Sequence, residues 1–308
     1  MRDEPVTVRG PRSLQLATAL LQRMRLARPT GGIWEAADVQ WWSRQERSTD
    51  RDGQVFWLDE RREPVAAVLL TDFGPSAQCD VLVLPGEPGL ERSVWRAAIE
   101  RADRLDLPVE VPVRSDCPDG IAELRAAGFE PDGEAAVISG WLAASARPPV
   151  PPLAAGYWLL SRADDPGRPH PMAGRNGASV AERLRRCSLY RAELDLMVQA
   201  PDGQVAGYGL FWADPVTEVG LVEPMRTEQD HQRRGVASHL LATGLDRLAA
   251  CGCQRLKVSN DIPLYLRAGF RPLREAEAIV YARLRTGSAV AGPAPLAARP
   301  VPSARATQ

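Results

Sequence analysis

The two halves of this 308-residue sequence repeat one order of predicted strands and helices at a nearly constant offset. Val65 and Val205 are 140 positions apart, and Phe129 and Phe270 are 141 positions apart. Each Phe lies in a similar segment, in which Leu-Arg-Ala is followed by Gly-Phe-x-Pro. Similar anchors in one element order favour a duplicated domain. The alternative, two unrelated α/β domains that share common elements, stays open.

Each half is predicted to contain a hairpin, an amphipathic helix, a short strand and a last strand. In the second half, Pro201-Asp202-Gly203 separates two apolar runs, and Asp-Gly between such runs is typical of a hairpin turn. The fold class is therefore α/β (α+β). The predicted helices are Leu90–Leu105 and Val236–Ala250, the strands after them Val109–Val113 and Arg255–Val258, and the last strands Ala135–Trp141 and Ala276–Leu284.

A proline-rich stretch, Ala146 to Pro152, separates the halves and is typical of a semi-rigid linker. Residues 288–308 consist mostly of Ala, Pro, Ser and Gly with scattered Arg, a composition that buries little apolar surface. We therefore predict a first domain at 1–145, a linker at 146–155, a second domain at 156–287 and a disordered tail at 288–308.

The charge balance and the apolar pattern limit the classes of partner. Lys and Arg number 38 and Asp and Glu 39, so the net charge of −1 favours no nucleic-acid partner. No run of residues approaches the ~18 apolar positions of a membrane helix. No apolar segment follows Met1-Arg2-Asp3-Glu4-Pro5, so we expect no signal peptide and a cytoplasmic protein without membrane association.

Cysteine and histidine spacing does not favour a metal site. Cys251 and Cys253 form a Cys-x-Cys pair without a second pair or a nearby histidine. The five cysteines are interpreted as small buried hydrophobic residues of a reducing compartment. We expect no metal.

The segment from Thr217 to Leu241 predicts an anion site. An apolar strand ends at about Thr227, a polar loop follows, and a helix begins near Gly235. The first turn of a helix has unpaired N–H groups and partial positive charge, which suit a diphosphate. Gly235 allows close approach of the backbone, and Ala237 and Ser238 keep the next positions small. The Rossmann and P-loop patterns are absent.

This segment resembles the acetyl-CoA motif of the GNAT acetyltransferase family, Gln/Arg-x-x-Gly-x-Gly/Ala between a strand and a helix. Gln232-Arg233-Arg234-Gly235-Val236-Ala237 matches the motif at each position. Downstream, Tyr265-Leu266-Arg267-Ala268-Gly269-Phe270 resembles the family's Tyr-x-x-x-Gly-Phe. The resemblance implies two tandem GNAT-like domains, each with a mixed, mostly antiparallel central sheet flanked by helices. The family commonly has a proline where this sequence has Gln229.

The resemblance also implies roles for individual residues. Strand backbone around Met225 and Thr227 holds the pantetheine arm and polarises the thioester carbonyl, and Tyr265 protonates the CoA sulfur. Asn260 would contact pantetheine, although it lies five positions before Tyr265 where the family often has seven. The implied cofactor-binding residues are Met225, Thr227, Gln232, Arg233, Arg234, Gly235, Val236, Ala237, Ser238 and Asn260.

Glu218 and Glu223 are the two candidates for the general base, and both fall on the predicted strand. Their separation of five positions places them on opposite faces of an unbulged strand. Glu223 interrupts the apolar run from Val219 to Met225, so its carboxylate is either partnered or functional. We prefer Glu223, while a structural salt bridge or N–H acceptor remains the alternative.

The first half looks like a degenerate GNAT-like domain. Glu87 and Glu91 fall where a phosphate would bind, and no tyrosine precedes Gly128-Phe129. We predict an acetyl-CoA-dependent N-acetyltransferase that acts on a small-molecule or peptide amine. A non-catalytic acetyl-CoA-binding regulator and an enzyme of another acyl-CoA are the alternatives. Trp158, His170 and Tyr190 fall in the segment expected to shape the acceptor pocket, and the oligomeric state is open.

Overall fold

A computed structural model describes residues 4–87, 89–273 and 277–283 of the chain. The predicted tail at 288–308 lies outside the described residues. The chain divides into two compact units. Within the described residues, the first unit contains 4–42, 46–138 and 277–283, and the second contains 43–45 and 139–273.

The described part of the first unit contains one seven-stranded sheet with the strand order β1-β2-β3-β4-β5-β14-β6. The β4–β5 pair is parallel and the other pairs are antiparallel. The strands are β1 (Val6–Val8), β2 (Gln54–Leu58), β3 (Pro64–Asp72), β4 (Ala77–Val83), β5 (Val109–Arg114), β6 (Glu130–Val137) and β14 (Ala278–Arg283), and the helices α1 (Gly10–Ala27), α2 (Ala36–Trp42), α3 (Leu90–Asp103) and α4 (Pro118–Ala126).

The second unit repeats this arrangement with the strand order β13-β7-β12-β11-β10-β9-β8. Here β11 and β12 are the parallel pair. The strands are β7 (Gly140–Ala143), β8 (Trp158–Ser161), β9 (Asp195–Gln199), β10 (Val205–Asp214), β11 (Val219–Thr227), β12 (Arg255–Val258) and β13 (Arg271–Pro272), and the helices α5 (Ala173–Asn176), α6 (Val180–Arg185), α7 (Val236–Ala250) and α8 (Pro263–Arg267). The predicted class of two mixed, mostly antiparallel sheets is confirmed.

Each sheet contains one strand from the other half of the sequence. In the first sheet, β14 lies between β5 and β6, and in the second sheet β7 lies between β12 and β13. The prediction of a single strand over Ala135–Trp141 is therefore wrong. Its first part pairs with β14, its last part pairs with β12, and the chain leaves the strand conformation at Ile138 and Ser139 between them. The linear division into 1–145 and 156–287 stays a prediction.

Helix α7 forms the main layer on one face of the second sheet. Its apolar residues recur at helical spacing and are buried, including Leu240, Leu241 and Leu245. They pack with Phe211 of β10 and Leu256 of β12 in one core. This packing holds the N-terminus of α7 beside the end of β11, where the candidate site lies.

The second half matches its predicted local structure closely. The hairpin around Asp202 is formed by β9 and β10, and α7 and β12 have the predicted bounds. Among the described helices, none has the length and apolar content needed to cross a membrane.

Candidate active site

The candidate site begins where the parallel strands β11 and β12 part. They pair only through Val219–Leu221 and Arg255–Lys257. Beyond Leu221, β11 continues to Thr227 with β10 as its partner. Within the described residues, this end of β11 has a ladder partner on one side, so backbone groups on the other side can bind an extended ligand. Met225 and Thr227, two of the predicted binding residues, lie on this stretch.

A bulge in β11 places Glu223 at the point of divergence. The register passes from Phe211↔Val222 to Gly209↔Met225, so β11 advances three residues while β10 advances two. The peptide bond between Glu223 and Pro224 in this span is cis. A bulge re-aims side chains locally, so simple alternation along β11 does not apply to Glu223.

Glu218 is not on the strand, contrary to the sequence prediction. It lies just before β11 with a φ of 56°, and its carbonyl accepts hydrogen bonds from the N–H groups of Gln254 and Arg255 at 2.8 and 3.3 Å. A residue with positive φ breaks the extended conformation, which is why the strand begins at Val219. Glu218 therefore belongs to the turn at the far end of β11 from Thr227.

Tyr265 lies close enough to Glu223 to feel its charge. Burial, and then the Glu223 carboxylate, raise the pKa of the Tyr265 phenol above its usual value. The ring is 8% exposed and packs edge-on against Phe270 with centroids 5.9 Å apart. In the part of the chain that the structure describes, its hydroxyl makes no hydrogen bond. The phenol keeps its proton at neutral pH and has that proton available for a ligand.

The polar loop after β11 leads to an open helix N-terminus. A 3₁₀ turn covers Gln229–His231, and Gly235 then caps α7 in the left-handed region, with φ 79° and no side-chain capping bond. A Cβ added at Gly235 would meet no protein atom within 4 Å. The space in front of Gly235 is therefore open at the start of α7, where the first-turn N–H groups have no acceptor within the helix, and a diphosphate site requires this combination.

The side chains around this N-terminus differ in their exposure to solvent. Gln232, Arg233, Arg234 and Ser238 are exposed and Ala237 is half-buried. Val236 is 1% exposed, so its side chain is part of the core and only its backbone can face a ligand. Gln232 makes a long contact of 3.5 Å from Nε2 to the carbonyl of Thr227. The structure thus brings the predicted motif residues together at one end of β11.

Asn260 has a local structural partner. Its Oδ1 accepts from the N–H of Ile262 at 3.0 Å, just before α8. Such a bond stabilises the turn into the helix that carries Tyr265. A contact between Asn260 and pantetheine stays a prediction.

Sequence reasoning missed a buried carboxylate, Asp195, beside the site. Asp195 Oδ2 accepts from the Tyr190 hydroxyl at 2.7 Å and from His170 Nε2 at 2.9 Å. His170 Nδ1 accepts from the N–H of Met172, so the proton of this neutral tautomer is on Nε2. The Tyr190 ring packs on Trp212, whose indole donates to the Glu223 carbonyl at 2.7 Å.

Asp195 has a signal in the sequence, since it interrupts the apolar run from Leu194 to Val198 as Glu223 interrupts its own. Burial, and then the Asp195 charge, raise the pKa of Tyr190. Trp158, predicted to accompany Tyr190 and His170, is exposed and donates to Gln199 of the neighbouring strand. It is not part of this network.

In the first unit, the N-terminus of α3 resembles that of α7 in its backbone but differs in its charge. Gly89 caps α3 in the left-handed region with φ 95° and without a side-chain bond, as Gly235 caps α7. Glu91 lies in the first turn of α3, whereas the first turn of α7 has no acidic residue. A carboxylate at that position repels a diphosphate. The described residues include no group of three or more His, Cys, Asp or Glu that could hold a metal ion.

Comparisons with known proteins agree with this geometry. Residues 157–270 match the acetyltransferase (GNAT) family. A mycothiol acetyltransferase of Clavibacter michiganensis subsp. michiganensis is 27% identical over 234 residues, which cover 68% of this chain and 73% of that protein.

Two solved structures share the fold. A tandem GNAT protein from the clavulanic acid biosynthesis pathway has a TM-score of 0.63 and 18% identity, covering 91% of this chain and 98% of its own. A GCN5-related N-acetyltransferase from Sphaerobacter thermophilus has a TM-score of 0.58 and 16% identity, covering 92% and 95%.

Proposed function

We propose that the second unit, whose residues 157–270 match the acetyltransferase (GNAT) family, transfers an acetyl group from acetyl-CoA directly to an amine in a ternary complex. The observation that carries this proposal is the divergence of β11 from β12 beside the uncapped N-terminus of α7. One end of this cleft suits a diphosphate and the other end has Glu223 and Tyr265 within electrostatic reach of each other.

The N-terminus of α7 would bind the diphosphate of acetyl-CoA. Backbone N–H groups of Val236, Ala237 and Ser238 would donate to its oxygens, and the helix dipole adds positive charge. The exposed guanidinium groups of Arg233 and Arg234 add further charge from the preceding loop. Gly235 leaves room for this approach because no Cβ stands in the way.

The outer part of β11 would position the thioester. Its backbone between Met225 and Thr227 has a free side toward the cleft, and an extended pantetheine arm can pair with it as an added strand would. An N–H of this stretch would polarise the thioester carbonyl, on which negative charge develops as the amine attacks.

Glu223 would accept the proton of the amine, directly or through one water molecule. An alkylammonium ion has no lone pair, so attack requires its deprotonation. Tyr265 would donate its proton to the departing CoA thiolate. Its raised pKa makes it a neutral donor at pH 7, and the nearby Glu223 charge contributes to that state.

The acceptor side would be formed in part by Tyr190 and the residues around it. Asp195 accepts a hydrogen bond from the Tyr190 hydroxyl, and the Tyr190 ring packs on Trp212, which donates to the backbone carbonyl of Glu223. The similarity to a mycothiol acetyltransferase makes the acceptor of that enzyme the first amine to test.

A matched pair of carboxylate variants tests the roles. Thiol release from acetyl-CoA is followed with saturating amine for Glu223→Gln and Glu218→Gln. The account predicts a loss of about 10²-fold or more in kcat for Glu223→Gln, the usual scale of a general base, and little change for Glu218→Gln. Equal activity of the two variants would remove the assignment of Glu223.

A further inference from the structure

The first unit contains a partly open cavity that acetyl transfer by the second unit does not use. Its volume is about 250 Å³, and it lies between α1, the loop at residues 31–34, β4 and β5. Its apolar walls include Leu21, Met24, Trp34, Leu82, Trp95 and Val113. The volume and the aromatic walls suit a small organic molecule.

Asp80 lines this cavity and is 2% exposed. Its Oδ1 accepts from Trp34 Nε1 at 2.7 Å, and both of its oxygens lie 2.9 Å from Gln78 Nε2. Both donors are neutral, so hydrogen bonds to Asp80 bring no positive charge from the described residues. A buried carboxylate without a cation is costly, because neutral donors replace only part of its hydration.

Two of the three arginines that line the cavity are held by other groups, and the third, Arg28, is exposed. Arg25 forms a buried ion pair with Glu35 and also donates to the carbonyl of Gly31. Arg114 is paired with Asp116. Of the charged residues that line the cavity, four are acidic and three are basic. The cavity therefore has a deficit of positive charge, and its most buried carboxylate is Asp80.

The position of Asp80 repeats that of Glu223. The parallel pair β4–β5 ends at Gln78↔Glu110, and Asp80 is two residues further along β4. The parallel pair β11–β12 ends at Leu221↔Lys257, and Glu223 is two residues further along β11. In each unit, a carboxylate thus stands just beyond the point where the parallel strands part. The first unit has kept this carboxylate, although Glu91 makes its helix start unsuited to a diphosphate.

We propose that the first unit binds a small organic amine in this cavity, with the ammonium group on Asp80 and an apolar or aromatic frame against Trp34 and Trp95. The cation would supply the charge that the described neighbours of Asp80 lack, and the frame would displace water from the apolar walls. This inference does not depend on catalysis by the second unit.

The proposal is tested by calorimetry on the full chain with amines and their neutral isosteres. The probes are benzylamine, phenethylamine and tryptamine, each compared with the alcohol of the same frame. We expect at least one amine to bind, its alcohol to bind at least tenfold more weakly, and Asp80→Asn to lose the preference for the amine. Asn keeps the shape of the side chain and can still accept from Trp34, and circular dichroism checks that this variant folds.

Glu223→Gln is the matched control, because it removes the corresponding carboxylate of the second unit. Amine binding that persists in Glu223→Gln and disappears in Asp80→Asn supports the proposal. Three results would overturn it: no binding of any of the amines, equal binding of amine and alcohol by the unmodified protein, or amine binding that Asp80→Asn leaves unchanged. The amine–alcohol comparison needs no variant, so it decides the matter even if Asp80→Asn fails to fold.

Discussion

The most informative perturbation is a methyl group at Gly235. Its left-handed φ of 79° is unfavourable for a residue with a Cβ, and Gly235→Ala should cost about 1–2 kcal/mol of stability for that reason alone. The Cβ would meet no protein atom within 4 Å, so no packing clash adds to this cost. If the space in front of Gly235 is where the diphosphate binds, the methyl group occupies part of it.

Gly89→Ala is a matched control for this substitution. Gly89 has a φ of 95°, caps α3 as Gly235 caps α7, and its Cβ would also meet nothing within 4 Å. Both variants should therefore lose a similar, small amount of stability. Only Gly235→Ala should weaken acetyl-CoA binding, by tenfold or more, which corresponds to about 1.4 kcal/mol. Gly235→Glu, which also adds a negative charge, should abolish binding.

The assay is isothermal titration of acetyl-CoA into each variant, with chemical unfolding as the measure of stability. A Gly235→Ala protein that binds acetyl-CoA as tightly as the unmodified chain would refute the diphosphate site. An equal loss of affinity in Gly89→Ala would also refute it, because the effect would then follow from helix-start strain in general.

Three further predictions follow from single contacts. Tyr265→Phe should lower kcat with little change in acetyl-CoA affinity, measured by steady-state kinetics and calorimetry, because it removes only the proton for the departing thiolate. Gly244→Ala should destabilise the second unit by about 1–3 kcal/mol in chemical unfolding, since its Cβ would lie 2.0 Å from Phe211; unchanged stability would show that the helix shifts freely. Asp80→Asn should weaken the pH dependence of stability. Burial, together with the Asp38 charge, raises the pKa of Asp80 to about 7, although hydrogen bonds from Gln78 and Trp34 lower it. The folded state therefore holds this proton more tightly than the unfolded state does. In the unmodified protein, the free energy of unfolding should then fall by up to about 4 kcal/mol as pH rises from 4 to 7. An Asp80→Asn variant whose free energy of unfolding falls equally over this pH range would contradict the prediction.

Local structure was predictable where periodicity and turn chemistry act within a short segment. Helix α7 and strand β12 have the predicted bounds, because an apolar stripe and a short apolar run each specify one element. The exchange of β7 and β14 between the sheets was not predictable from such patterns. Periodicity identifies a strand, but it does not identify the distant strand with which it pairs.

Carboxylates inside apolar runs were the most useful signal for the sites. This pattern indicates Glu223 as a site residue, and Asp80 and Asp195 show the same pattern. Pro224 within a strand was a further cue, since proline in a sheet interior is typical of a bulge. Spacing along an ideal strand does not apply to Glu218 and Glu223, because Glu218 lies in the turn before β11 and Glu223 lies in the bulge.

The most direct test of acetyl transfer by the second unit is the initial rate of CoA thiol release while both acetyl-CoA and an amine acceptor are varied. Direct attack in a ternary complex predicts that release requires the amine, and that double-reciprocal plots at several amine concentrations intersect. Parallel lines would indicate a covalent acetyl-enzyme instead, and bound acetyl-CoA without amine-dependent thiol release would contradict the proposed activity itself.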